Sequence, residues 1–210
     1  MLLSFSNVRL SYAGASVLDI PSFALPDGFY EVRGPNGSGK TTLLKAIAGL
    51  LPVTGAPRVS TGPGAITLSG LDSVRDRVAY RRGCGFAEAK PLYPEFLTGA
   101  ELYAFYVKTK GGEGPYAPAL RSALGLDAFI GRKTGAYSSG MLKKLSLVLA
   151  WIGNPLLVLL DEPLVTLDAA AVAVVEDWLR SSPVSLIVTS HQPWALNPAP
   201  IYLREKQLYV

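Results

Sequence analysis

Apolar residues along the chain fall into two rhythms. Short alternating or aromatic-rich runs occupy residues 2–10 and 16–33, broken by Gly and Pro, and predict strands of a small antiparallel sheet. The last run, Phe29-Tyr30-Glu31-Val32-Arg33, is a strand that enters a glycine-rich turn. Apolar positions then recur at Leu43, Leu44, Ile47, Leu50 and Leu51, the spacing of one helix face. They predict a helix from Thr41 to Leu51, stopped by Pro52. Residues 53–64 read as a Pro/Gly-rich loop, Ala65 to Leu68 as a strand and Asp72 to Arg82 as a helix.

The character changes from Glu88 to Gly131. Thr98, with Glu101 three residues on, predicts a capped helix through Phe105 or a little beyond. Gly111 to Pro118 reads as loop, and Ala119 to Leu124 and Asp127 to Gly131 as short helices. Ser138 or Ser139 caps a helix through Trp151. Leu156 to Leu160 is an all-apolar strand of the kind covered on both faces in parallel sheets. Ala169 to Arg180 is a helix, Val184 to Thr189 a second buried strand, and Ile201 to Val210 a hairpin. The expected class is α/β, with a mostly parallel sheet, an N-terminal antiparallel β subdomain and an inserted helical subdomain. The insertion spans 89–133, and 1–88 with 134–210 form the core.

Composition narrows this picture. The 210 residues suffice for one domain, or one with an inserted subdomain. Charged residues are 17% and apolar residues 49%, which excludes a disordered chain. Cys84 is the single cysteine, which excludes a disulfide scaffold and fits a reducing compartment. Mean hydropathy is +0.28. Yet the most apolar stretch, Leu145 to Leu160, is interrupted by Ser146, Gly153, Asn154 and Pro155, and predicts a buried helix, a turn and a buried strand rather than a membrane span. The first ten residues lack the basic and apolar segments of a signal peptide, so the expectation is a cytoplasmic chain that does not span. Net charge is +4, but Lys and Arg are scattered, with no basic tail, so nucleic acid is not an expected partner.

Two motifs carry chemistry. Gly34-Pro35-Asn36-Gly37-Ser38-Gly39-Lys40-Thr41 fits G-x-x-x-x-G-K-[ST] at every fixed position, with a strand before it and a helix after. Glycines let successive N–H groups turn toward phosphate oxygens, and the helix adds its positive end. Lys40 supplies charge to the β- and γ-phosphates and Thr41 a hydroxyl to Mg²⁺. Leu156 to Leu160 runs into Asp161-Glu162. Carboxylates at the end of a parallel strand sit where α/β folds bind ligands. One can hold Mg²⁺ and the other can orient or deprotonate water.

Tyr137-Ser138-Ser139-Gly140-Met141, followed by Leu142-Lys143-Lys144-Leu145, lies just upstream of Asp161. It resembles the signature of ATP-binding cassette ATPases, usually Leu-Ser-Gly-Gly-Gln, in a Tyr-Ser-x-Gly-Met form common in exporter-type cassettes. With Asp161-Glu162-Pro163, Leu167-Asp168 and Thr189-Ser190-His191, the order of motifs is similar to that family over nearly the whole chain. The resemblance implies that Tyr12 stacks on adenine, that Thr42 is a second hydroxyl contact to phosphate and that Glu162 is the catalytic carboxylate. It implies that His191 contacts the γ-phosphate and that Asp168 lies at a dimer seam. Glu88 sits where the family usually has a glutamine near the metal. Ser139 and Met141 depart from the signature, while Ser138 and Gly140 keep its hydroxyl and its close-approach glycine.

The resemblance further implies an ATP- and Mg²⁺-dependent ATPase subunit, peripheral on the cytoplasmic face of the membrane. Two copies, or this chain and a related one, would sandwich ATP between the phosphate loop of one and the signature of the other. Separate transmembrane subunits would be driven by that cycle, more in keeping with export than import, and would choose the substrate. Tyr93, Phe96, Tyr103 and Phe105 are expected to line a groove beside Glu88 for a short helix of the membrane subunit. The haem-export subunit of cytochrome c maturation is one candidate among small cassettes, and no residue selects it. The alternative is a soluble assembly ATPase of the same family, such as the iron–sulfur cluster type. Chromosome-organising relatives carry long coiled coils, and translation-type relatives two such domains; neither is seen here.

Overall fold

A computed structural model of the chain describes residues 1–12, 15–51, 64–191 and 196–210, with the backbone alone at Tyr12 and Ala15. Among these, ten strands form two sheets. The first has the order β2-β1-β4-β5 and is antiparallel: β1 (Leu3–Tyr12), β2 (Ala15–Leu25), β4 (Ala65–Leu68) and β5 (Leu71–Asp72). The second has the order β10-β9-β3-β8-β7-β6. In it β3 (Phe29–Arg33), β6 (Cys84–Ala87), β7 (Leu157–Asp161), β8 (Ser185–Thr189) and β9 (Ala199–Arg204) pair in parallel. The short β10 (Gln207–Tyr209) closes the edge as an antiparallel hairpin.

Phe29–Arg33 therefore belongs to the parallel sheet, between β8 and β9, and not to the small antiparallel one. This placement is what makes the turn after Arg33 a loop at the C-terminal edge of a parallel sheet. Every residue of β7 and β8 is buried, as the apolar runs that make up most of each strand require.

Helix α1 (Lys40–Ile47) follows β3 and stops earlier than its apolar spacing predicts. Gly49 takes a left-handed conformation at φ 68, and the N–H groups of Gly49 and Leu50 bond back to Ala46 and Lys45, a Schellman end. Leu50 is thereby left on the surface. The Asp72–Arg82 helix is also shorter: only α2 (Arg77–Arg82) is helical. Asp72 closes β5 and its carboxylate accepts the N–H groups of Val74 and Arg75, a local turn that competes with helix.

The helical part holds α3 (Gly99–Lys110), α4 (Ala117–Ala123) and two 3₁₀ turns, Leu126–Ala128 and Thr134–Ala136. The capping box at the start of α3 is complete: Thr98 accepts from the Glu101 N–H and Glu101 from the Thr98 N–H. Helix α5 (Ser139–Ala150), capped by Ser138, and α6 (Ala169–Arg180), capped by Asp168, return the chain to the sheet. One apolar core lies between the two sheets and α1; the other lies between the large sheet, the helical part, α5 and α6. In the second, Tyr116, Trp151 and Trp178 stack edge to face in sequence, the two indoles at 5.7 Å and 89°. No helix among the described residues is long and apolar enough to cross a membrane.

Candidate nucleotide-binding site

Strands β3, β7 and β8 are parallel neighbours, so their C-terminal ends open on one edge, and the site is built there. After β3 the loop 34–39 doubles back under α1. Gly37 at φ 77 and Gly39 at φ 102 hold conformations that disfavour any side chain. A Cβ on Gly34 would lie 2.7 Å from the Leu203 carbonyl, so the loop can pass β9 only as glycine. Gly39 caps α1 without a side-chain bond, leaving the first-turn N–H groups of the helix for a ligand. The Lys40 ammonium donates to the carbonyls of Gly34 at 2.8 Å and Pro35 at 3.2 Å, folding back on its own loop.

At the end of β7 the Asp161 carboxylate is buried and bonded on both oxygens. The Thr41 hydroxyl donates to one at 2.8 Å and the Thr189 hydroxyl to the other at 2.6 Å. The Thr189 oxygen also accepts the Glu162 N–H at 3.0 Å. Glu162 adopts φ 46, an uncommon left-handed position for a side-chain-bearing residue. Its carboxylate meets the His191 N–H at 3.2 Å and the His191 Nε2 at 3.4 Å. A cleft of ≈ 540 Å³ brings Asn36, Gly37, Gly39, Lys40, Thr41 and Thr42 against Asp161, Glu162 and His191.

Other expected residues lie apart from this cleft. Ser138, Ser139 and Gly140 form the start of α5 and do not line it; nor does Asp168, whose carboxylate accepts the Ala171 N–H and pairs with Lys144 at 3.4 Å. The helix-cap bond and Lys144 hold that carboxyl below the usual carboxylate range. Glu88 follows β6, and its carboxylate pairs with Lys45 of α1 at 3.1 Å. Ser38 keeps its N–H on the Pro35 carbonyl, while its buried hydroxyl oxygen lacks a partner among the described residues. The side chain of Tyr12 lies outside the described residues.

Sequence reasoning missed Thr189, Lys45 and Lys143 as parts of the site. Lys143 is completely buried and donates to the carbonyls of Glu88 at 2.7 Å, Ala89 at 3.3 Å and Asp161 at 2.9 Å. Burial lowers its ammonium to about 8, against the pull of Asp161, Glu162 and Glu88. Its signal was available: Lys143 stands one turn before Ser146 and Leu147 on a helix whose residues 145–150 are all buried, and a lysine so placed must find acceptors.

The expected aromatic groove is redrawn. Tyr103 is buried and bonded to Glu113, and Tyr93 is half-buried, so both fill the second core, whereas Phe96 and Phe105 are exposed. The groove of ≈ 430 Å³ lies instead between α1, α2, β6 and α3, where Leu50, Val78, Phe86, Phe105 and Tyr106 meet Arg81.

A glycine loop leading from a parallel strand into a helix, with its Thr bonded to the Asp at the end of a second strand, defines a nucleotide-binding α/β protein of the phosphate-loop class. The sequence profile described as ABC transporter matches residues 21–165. The chain belongs to the ABC transporter family, as its ATP-binding part.

It is 36% identical to the cytochrome c biogenesis ATP-binding export protein CcmA of Cereibacter sphaeroides, over 86% of this chain and 77% of that protein. It is 30% identical to the sulfate/thiosulfate import ATP-binding protein CysA of Nocardia farcinica, over 94% of this chain and 60% of that protein. With ABC transporter A family member 12 of Arabidopsis thaliana it shares 34% identity, over 68% of this chain but 15% of that protein. Several curated relatives thus extend well beyond the length matched here. A solved ATP-binding subunit of an ABC transporter superposes with a TM-score of 0.81 at 23% identity, over 99% of this chain and 88% of that one, and supports the fold.

Proposed function

We propose that this chain binds ATP with Mg²⁺ in the cleft, hydrolyses the ATP, and so drives transport through separate membrane subunits. The observation that carries the reading is the meeting of Thr41 and Asp161 at 2.8 Å, beside Lys40 and with Glu162 and His191 in the same cleft. The donors fit Mg²⁺: a hydroxyl and a carboxylate are hard oxygen ligands, and such sites use few protein groups because phosphates and water supply the rest. Thr41 and Asp161 would hold the ion, Glu88 would approach it only by leaving its pair with Lys45, and the bound ion would neutralise phosphate charge.

Lys40 would exchange the Gly34 and Pro35 carbonyls for phosphate oxygens. The loop N–H groups and the Thr42 hydroxyl would complete the cradle. Glu162 would orient the attacking water and take its proton, and His191 would bind the γ-phosphate and steady Glu162, with which it is already in contact.

Residues 1–88 and 134–210 serve as the nucleotide core and 89–133 as the helical subdomain. Ser138, Ser139 and Gly140 would complete the site of a second copy, or of a related chain, across a seam that includes Asp168. The groove at Leu50, Val78 and Phe105 would receive a short helix of the membrane subunit. Export is supported by the Tyr-Ser-x-Gly-Met signature, while the similar proteins include both an export and an import protein. The deciding experiment is isolation of the tagged chain with its bound partners, followed by transport in inside-out vesicles. ATP-driven accumulation upholds the reading. Absence of a multispanning partner, or of Mg²⁺-dependent ATP turnover in the isolated complex, overturns it; an iron–sulfur assembly protein as the partner turns it to the alternative.

A further inference from the structure

Strands β6 and β7 pair in register as far as Ala87 opposite Leu160, and there their ladder ends. Beyond it the carbonyls of Glu88 and Ala89 on one side and Asp161 on the other are all acceptors and cannot bond to one another. The Lys143 ammonium reaches in from α5 and fills that role, directing its three donors to those three oxygens. An apolar side chain would fill the slot at lower desolvation cost, but would leave the carbonyls unpaired in a buried space. Asp161, Glu162 and Glu88 favour the charge but only partly offset its burial. The Glu88 side chain is held separately by Lys45 of α1 at 3.1 Å.

We propose that Lys143 is a positioning residue: by stapling the main chain of Glu88 and Ala89 to the end of β7, it fixes the position of Asp161 in the cleft relative to the segment that follows β6. This rests on the ATPase reading for its consequence, but the staple itself is made by the chain's own atoms. It also links α5, whose first residues are the signature, to the floor of the cleft.

Lys143→Met keeps the length and deletes the donors; Lys143→Gln keeps two of them. In the full chain, Lys143→Met should lower kcat by about twentyfold while KM for ATP stays within about threefold, and should raise the Mg²⁺ concentration for half-activity by about fivefold. Amides 88–90 of the nucleotide-free variant should exchange hydrogen about tenfold faster, more than amides of β1 and β2. Lys143→Gln should recover part of each effect. Folded Lys143→Met with wild-type kcat and exchange overturns the proposal, as does a rise in KM that accounts for the whole loss. If Lys143→Met does not fold, Lys143→Gln decides: faster exchange at 88–90 with lowered kcat upholds the staple, and wild-type exchange there sinks it. A wild-type chain that never turns over ATP would refute the ATPase reading alone, since exchange still reports on the staple.

Discussion

One hydroxyl at the end of β8 serves two groups of the site: Thr189 donates to Asp161 and accepts from the Glu162 N–H. Thr189→Val keeps the shape and leaves both groups short of a partner, one of them a buried carboxylate. The expected cost is about 1–3 kcal/mol of stability, read by urea unfolding. A larger fractional loss of kcat than of ATP affinity should accompany it, with Thr189→Ser restoring most of both. Equal behaviour of Val and Ser would show the hydroxyl to be idle. Glu162→Gln should keep ATP binding and lose about a hundredfold or more in turnover, because an amide cannot take the proton of water. Lys40→Ala should instead weaken binding itself if, as proposed, Lys40 exchanges its loop carbonyls for phosphate oxygens. Fluorescent nucleotide titration beside steady-state hydrolysis separates the two. Cys84 offers a check on the core: burial raises its thiol to about 12, so it should resist maleimide at neutral pH until the chain is unfolded.

Elements whose signals are local were legible. Thr98 and Glu101 announced the start of α3, and the alanine-rich run after Asp168 gave α6 its bounds. Thr98→Ala should cost about 1 kcal/mol, measured as a shift in the unfolding midpoint at constant slope. Where local and longer-range demands compete, the sequence misled. Leu50 and Leu51 continue the apolar spacing of α1, but Gly49 turns the chain first, and Leu50 faces a groove instead of a core. Asp72 looked like part of a helix because its turn is made by its own carboxylate, which composition does not reveal. Phe29–Arg33 was legible as a strand but not as a member of the parallel sheet, since pairing partners are chosen by residues about 150 positions away. Strand β6 carries a constraint that pattern alone never shows. A Cβ on Gly85 would stand 1.9 Å from the Ala150 carbonyl, so Gly85→Ala should force β6 and α5 apart. The expected result is a loss of several kcal/mol or an unfolded chain, against little change for Gly131→Ala, where nothing lies within 4 Å of the added carbon.

At the scale of the molecule, the phosphate loop and the signature occupy separate places: the cleft is lined without Ser138, Ser139 or Gly140. That separation was legible only through the resemblance, because spacing in sequence does not say which copy a motif serves. If the signature completes a neighbour's site, Glu162→Gln should sediment as a monomer without nucleotide and shift toward a dimer with Mg-ATP. Ser139→Asp is the informative second change. It sits in the first turn of α5, where a carboxylate favours the helix, so the monomer should keep its stability while repulsion from phosphate abolishes the dimer. A dimer that survives Ser139→Asp, or that forms without nucleotide, would refute the sandwich. The stacked Tyr116, Trp151 and Trp178 have a bearing on how any such closure could be watched. Two indoles at 5.7 Å and nearly perpendicular share their excited states, so their near-ultraviolet circular dichroism depends on their mutual angle. Trp151 ends α5, Trp178 rides on α6 and Tyr116 precedes α4, so a change in how these helices sit would alter emission and ellipticity together. With Trp194→Phe removing the emission of the third tryptophan, the protein would carry its own optical gauge of closure, without an attached dye.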